Sequence, residues 1–542
     1  GVINGKSPMK TVWDLISPVT LLVNSAVTNS GGILYPEANA AITQAVNKGS
    51  LLLNYTGHGN YLRLSEQAVI ASATIKTWDN AGRLPLLVTA SCDFAPYDQP
   101  QLNPIGFDAL FQNNKGIIGL VSANRLVFAY SNKQINDHFI QSLLVPDSMG
   151  NYLTIGKALQ RAKQVNWSNN GDKLNAFKFN LIGDPALGLL QAKQELVFSA
   201  LNKKVFLGKD TIQSGVLTEV VGKVQKEKRL NTSFNGIVEF IVWDVPREKS
   251  TLANLSTSIK TNIQTQESIL FRGKGTVKEG IFTLNFILPT ALSALQIPLK
   301  IEAFAFNDSL DALGVCDSIF VRSNYSLSNA DTKGPIINAY INDTNFLSHS
   351  WVTNTAKLLV HLKDSSGIQS AGTTLGHDIE CIIDNEIQNP IVLNNYFISD
   401  IDQYQSGWLS YTLPNLSEGQ HMLTIKAWDI MGNLSKDTIY FEVPKTSGLL
   451  VNHLSNSPNP MTQKTRFSFD INQTNTSFTT TLELLSTQGT RLFQKRMEHY
   501  SVSNKIVMDW DGLDSAESKV PPGVYYYRIV IDIGTEKQVL TN

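Results

Sequence analysis

A histidine and a cysteine, His58 and Cys92, each stand just past the end of a short apolar run. The runs read SLLLNYTGHGNY, Ser50 to Tyr61, and LPLLVTASCDF, Leu84 to Phe94. Both look like buried strands that stop abruptly at a reactive side chain. Open α/β sheets build their sites at the carboxyl ends of the strands. If these strands are neighbours in one parallel sheet, the imidazole and the thiol emerge there side by side. A histidine beside a thiol makes an activated nucleophile.

Gly57 and Gly59 flank His58, so the backbone there can turn sharply and a substrate can come close. Acyl transfer by a thiolate needs a nucleophile, a base, a group that orients the base, and N–H donors for the oxyanion. Cys92 is read as the nucleophile and His58 as the base. The backbone N–H groups of Gly59 and Cys92 are read as the oxyanion donors. The orienting group is left open among Glu37, Glu66, Asp79, Asp93, Asp98 and a residue upstream of Gly1. Glu37 also suits the start of a helix, where it complements the dipole, and Asp93 suits specificity or solvation. The chemistry implied is that of a cysteine hydrolase.

Elements that would position this pair are visible along the chain. Tyr35 to Lys48 carries Ala38, Ala41, Ile42, Ala45 and Val46 at helical spacing, with Pro36 in the first turn and Gly49 as cap. Thr154 to Asn166 repeats the pattern through Ile155, Ala158, Leu159, Ala162 and Val165. Between them lie VTLLVN, SLLLNYT, PLLVTAS and GIIGLVS, continuous apolar runs that suit parallel strands covered on both faces. The first part of the chain therefore reads as α/β with a parallel sheet.

After about Gln191 the helical patterns fade. Alternating runs such as GIVEFIVWDV, GIFTLNFIL, KLLVHLKD, HMLTIKAWDI and DTIYFEV are separated by Gly, Asn, Asp and Ser turns. That is the pattern of β-sandwiches. Linkers are read at Ser323 to Pro335 and Pro444 to Pro460. The expected units are an α/β domain at 1–192, β-sandwich domains at 193–328 and 333–445, and a C-terminal Ig-like module at 450–542.

Composition narrows the classes. A net charge of −1 with 17% charged residues gives no basic face for nucleic acid or a membrane surface. Cys92, Cys316 and Cys381 lie far apart, which is neither a disulfide framework nor a metal-ligand pattern, so Cys316 and Cys381 are expected as buried free thiols. The remaining histidines, His138, His349, His361, His377, His421, His453 and His499, show no ligand spacing. Asp184 and Asp364 are expected to cap turns. No loop matches a calcium motif, and no metal or cofactor is expected. No apolar run reaches the roughly 18 residues of a membrane span. The chain opens on Gly1 with no signal peptide ahead of it, and it reads as a fragment of a longer protein.

The residues also resemble a known family. NYTGHG at 54–59, LPLLVTASCDF at 84–94, NRLVFAYSN at 124–132 and LIGDP at 181–185 are similar to the gingipain family of caspase-related cysteine peptidases. Further along, GPIINAYINDTNF at 334–346, DSSGI at 364–368, LGHDI at 375–379 and EGQHMLTIKAWDIMGN at 418–433 extend the resemblance to the sortase branch that serves type IX secretion.

The resemblance implies a caspase-like fold, Cys92 as nucleophile, His58 as proton-transfer partner and Gly59 in the oxyanion hole. It implies cleavage of C-terminal sorting domains from exported cargo through a thioester, resolved by an amine of anionic lipopolysaccharide or by water. It further implies a place on the outer face of the outer membrane, beside attachment-complex proteins such as a PorV-like barrel. The C-terminal module, from SNSPNP at 455–460, resembles the type IX C-terminal domains. One position departs from the family pattern. Where related sequences carry a Gly–Glu pair after the nucleophile, this chain has Gly106-Phe107. Two other readings stand beside the sortase: a secreted gingipain-like endopeptidase, and a catalytically idle surface scaffold.

Overall fold

The structure is a computed structural model. It describes residues 27–29, 32–147, 150–169, 171–189, 192, 194–253, 259–266, 268–290, 292, 295–322, 331–371, 376–444, 451–472, 476–501, 505–534 and 537–541. The VTLLVN run and most of the first expected linker lie outside these residues.

In the α/β unit, strands Leu52–Thr56, Leu86–Ala90, Gly119–Ala123 and Phe179–Ile182 form one sheet in that order. The first three are parallel, with Leu52 opposite Leu86 and Leu86 opposite Gly119. The fourth runs antiparallel, pairing Ala123 with Phe179 and Leu120 with Ile182. The sheet is therefore mixed at this edge rather than wholly parallel. Its last strand follows the short helix Lys173–Phe177, which returns the chain to the carboxyl end of its neighbour. No crossover back to the amino end intervenes.

The two central strands are buried at every position, as a sheet covered on both faces requires. Leu86, Val88, Val121 and Ala123 meet helices Ala129–Leu144 and Ile155–Ser168 on one face. Leu87 and Leu120 pack with Val46, Ile75, Trp78, Ile105 and Ala109 on the other. Helix Pro36–Lys48 starts with Pro36 in its first turn, and its cap Gly49 donates to the Ala45 and Val46 carbonyls at 3.1 Å. Helix Ile155–Ser168 is capped by Thr154, whose hydroxyl accepts from the Lys157 N–H. The 16-residue helix Ala129–Leu144 escaped the periodicity reading. Its buried face includes Asn132, Asn136 and Ser142 among Ile135, Phe139 and Leu143, and these polar residues break the apolar stripe.

The next unit places ten strands in one sheet, which closes on itself where Gln194 and Glu195 pair with Ala312 and Leu313. The two faces expected of a sandwich are thus joined. Strand Gly236–Trp243 does not alternate; it is buried on both sides from Val238 onward. Val238, Phe240 and Val242 enter the main core, while Ile241 and Trp243 face a second small core with Phe304.

The third unit is a sandwich of a four-stranded and a five-stranded sheet around Leu358, Val360, Leu409, Leu423 and Ile425. The last pairs a three-stranded with a four-stranded sheet around Phe467, Phe469, Leu482 and Ile529. Its first strand, Val451–Ser457, occupies part of the stretch read as linker, because pairing with Thr465–Ile471 supplies the ladder that its polar sequence did not advertise. Cys316 and Cys381 are buried free thiols in separate cores. Among the described residues no helix is long and apolar enough to cross a membrane.

Candidate active site

Parallel pairing sets the site. Thr56 lies opposite Ala90, so the chain leaves both strands at the same level of the sheet. His58 and Cys92 each follow two residues later, at the carboxyl edge. His58 is exposed and Cys92 half-buried. The sheet thus places both residues at its carboxyl edge, after adjacent strands.

His58 is held by its backbone. Its carbonyl accepts from the Tyr55 hydroxyl at 2.7 Å and from the Ser65 N–H at 2.8 Å. Burial raises the Tyr55 phenol above its ordinary pKa, which keeps it a donor. Both flanking glycines are closely packed. A Cβ on Gly57 would stand 2.7 Å from the Tyr55 hydroxyl oxygen. One on Gly59 would stand 3.0 Å from both Leu64 Cδ2 and Ser91 Oγ.

After Gly57 the chain enters a small ribbon in which Gly59 pairs with Leu64 and Asn60 with Arg63. Hydrogen-bonded and non-hydrogen-bonded pairs alternate along an antiparallel ladder. The Ser65-to-His58 bond makes Gly59–Leu64 the non-hydrogen-bonded pair, so the Gly59 N–H turns away from the ribbon.

The thiol is held on its other side. Cys92 Sγ donates to the Val127 carbonyl at 3.4 Å. Asp93 takes a left-handed φ of 47°, which Asp tolerates better than most residues. Its N–H donates to the Arg125 carbonyl at 3.3 Å. Arg125 forms a two-pronged ion pair with Asp98, and this guanidinium holds the Asp98 carboxyl below the usual carboxylate range.

None of the five acids considered as orienting group bonds the His58 ring. Asp79 lies at the opposite end of the sheet, its N–H donating to Asn47 Oδ1 at 2.7 Å. Asp98 is engaged by Arg125. Glu37 and Glu66 are exposed. One carboxylate oxygen of Asp93 is sealed from solvent with no hydrogen-bond partner among the described residues. Phe107 sits half-buried on helix Ile105–Leu110, its ring 6.0 Å from that of Phe111. Gly106 beside it is packed tightly, since a Cβ there would come within 2.8 Å of Leu120 Cδ2.

Residues 9–190 match the model of Peptidase family C25. Over that stretch, about a third of the chain, the unit is similar to the C25 cysteine peptidases. No curated protein matches the sequence. Among solved structures, the chain is similar to dimeric latent PorU from Porphyromonas gingivalis, with 24% identity and a TM-score of 0.33, covering 80% of this chain and 41% of that one. It is also similar to the complex of Porphyromonas gingivalis RgpB pro- and mature domains, with 15% identity and a TM-score of 0.27, covering 52% and 57%. This chain therefore spans about two-fifths of the PorU chain it matches.

Away from the C25 pair, two features went unread in the sequence. Asp331, Asp364 and Asp429 bring one carboxylate oxygen each within 4.8 Å of one another in the third unit. They come from three separate segments, which no loop motif can reveal. Asp364 also caps its turn, accepting from the Ser366 N–H at 2.7 Å, as Asp184 does for the Ala186 N–H at 2.8 Å. A recess of 340 Å³ lined by Gln160, Lys163, Gln164, Trp167, Ser168 and Phe177 contains neither His58 nor Cys92. His377 lies in a loop, its ring 4.1 Å from that of Trp428.

Proposed function

We propose that this chain carries the nucleophile-bearing part of a cell-surface sortase of type IX secretion. It removes C-terminal sorting domains from exported cargo and passes the cargo to an amine of anionic lipopolysaccharide or to water. The observation that carries the peptidase chemistry is the placement of His58 and Cys92 at one level of adjacent parallel strands within a unit similar to the C25 peptidases. The sorting role rests on the sequence resemblance, which continues through the β modules. Under the same reading the protein works beside outer-membrane attachment proteins, including a PorV-like barrel.

The steps follow from the residues. His58 takes the Cys92 proton, and the thiolate bonds to the scissile carbonyl carbon. The carbonyl electrons move to oxygen, where the Gly59 and Cys92 N–H groups receive the charge. Losing one such donor typically costs about 2.7–4 kcal/mol of barrier. Collapse breaks the C–N bond, and the leaving amine takes its proton from the His58 imidazolium. The resulting thioester is attacked by the acceptor amine, which gives its proton back to His58 as the C–S bond breaks.

The test is incubation of the full-length protein with cargo bearing its C-terminal domain, with and without an added amine, read by mass spectrometry. An amine-ligated product at one site supports sorting. Free acids at many unrelated sites would instead indicate a general endopeptidase. Phe107, at the position of the family's acid, favours one second reading, an idle scaffold. That reading requires Cys92→Ala to leave cargo maturation unchanged.

A further inference from the structure

The peptide unit between Val127 and Phe128 is engaged at both ends. Its carbonyl accepts from the Cys92 thiol at 3.4 Å, and its N–H donates to Asn175 Oδ1 at 2.9 Å. Asn175 is 1% exposed, and its own partners fix it in turn. Its Nδ2 donates to Asn132 Oδ1 at 3.1 Å, and its backbone N–H donates to Asp172 Oδ1 at 2.9 Å. The orientation of the amide is set without ambiguity, because the Phe128 N–H can only donate and so must face the oxygen. Asn132 is 4% exposed on helix Ala129–Leu144, and Asp172 caps helix Lys173–Phe177. A buried amide thus ties two helices to the one peptide plane that touches the nucleophile.

The direction of this contact matters. Cys92 follows the strand Leu86–Ala90, His58 follows the neighbour on one side, and Val127 follows the neighbour on the other. The Cys92 sulfur lies against the Val127 carbonyl oxygen, on the side of its strand opposite His58. The His58 ring has no hydrogen-bond partner among the described residues. In this arrangement the pair is placed but not engaged.

We propose that Asn175 is a positioning residue for the nucleophile. It pins the Val127–Phe128 peptide so that the Val127 carbonyl holds the Cys92 thiol in a resting position, from which rotation of the cysteine side chain brings it to His58. Once His58 takes the proton, the same fixed carbonyl oxygen repels the thiolate and opposes its return. The proposal rests on Cys92 being the nucleophile, but its test reads the hold on the thiol and needs no turnover.

The measurement is the rate of Cys92 alkylation by iodoacetamide in the full chain, located by peptide mass spectrometry. Asn175→Ala is expected to accelerate it roughly threefold to tenfold, as loss of one modest hydrogen bond allows. Asn175→Asp keeps an acceptor for the Phe128 N–H, with Asn132 turning its amide to donate, and is expected to restore the wild-type rate. Phe128→Pro, at an exposed residue, deletes the N–H, places a ring carbon against Asn175 Oδ1 and draws φ from −105° toward about −65°, and should accelerate alkylation as Asn175→Ala does. Phe128→Ala keeps the N–H and should not. Equal rates in Phe128→Pro and Phe128→Ala overturn the proposal even if Asn175→Ala fails to fold. So does acceleration in Asn175→Asp matching that of Asn175→Ala.

Discussion

Cys92 differs from the other two cysteines in its surroundings. Burial raises the Cys316 thiol above its ordinary pKa and pushes that of Cys381 up to about 12, while Cys92 stands half-buried at the sheet edge. A disulfide reagent applied to the native protein at neutral pH is therefore expected to label Cys92 alone. Cys92→Ala should abolish labelling, and thiolate-dependent cleavage with it; labelling that persists would place a reactive thiol elsewhere. The glycines around His58 make a second prediction. Gly59→Val forces its side chain against Leu64 and Ser91 and shifts the base. Misplacement of about 1 Å can cost about a hundredfold in rate, so kcat should fall steeply with circular dichroism unchanged. The candidate pair stood out in the sequence because Gly57, Gly59 and Cys92 follow directly on apolar runs. The hold on the thiol was not, since Val127 and Asn175 come from segments that only packing brings near.

Among the elements, the loop after strand Leu86–Ala90 is tied by Arg125, whose carbonyl receives Asp93 and whose guanidinium grips Asp98. Folding lowers the Asp98 pKa, so the pair contributes fully above the ordinary carboxylate value of about 3.9 and is lost as pH falls through the folded-state value. Asp98→Asn removes this dependence. Melting curves taken from neutrality to about pH 3 should show the difference between wild type and variant narrowing toward the acid end. A constant difference would mean the pair does not anchor the loop. Helix Ala129–Leu144 covers one face of the sheet through Phe139, which is 1% exposed. Phe139→Ala is expected to cost about 3–5 kcal/mol in denaturant unfolding. Helices Pro36–Lys48 and Ile155–Ser168 were readable because alanine and aliphatic residues keep their stripes continuous. Ala129–Leu144 was not, because buried Asn132, Asn136 and Ser142 break its apolar stripe, Asn132 accepting from Asn175.

At the scale of the molecule, the second and third units are fastened together. Asp402 accepts from the Thr276 N–H at 2.8 Å and its hydroxyl at 2.6 Å, and the Asp402 N–H donates to the Lys274 carbonyl at 3.0 Å. Gly273 permits the approach, since a Cβ there would lie 2.6 Å from Ser399 Oγ. Ala371 of the third unit joins the core of the second. The two should therefore unfold in one transition, and Asp402→Ala, which removes the carboxylate bonds to Thr276, should separate it into two in calorimetry; a single unshifted transition would count against the coupling. Taken by itself, the sequence determined the class of each region and singled out His58 and Cys92 as the candidate pair, because periodicity, glycine and cysteine act locally along the chain. Tertiary structure alone decided the antiparallel edge strand, the closed second sheet, the acid trio and the clasp on Cys92. Each of these depends on hydrogen bonds or contacts between segments distant in sequence, whose pairing is set by packing and leaves little trace in residue order.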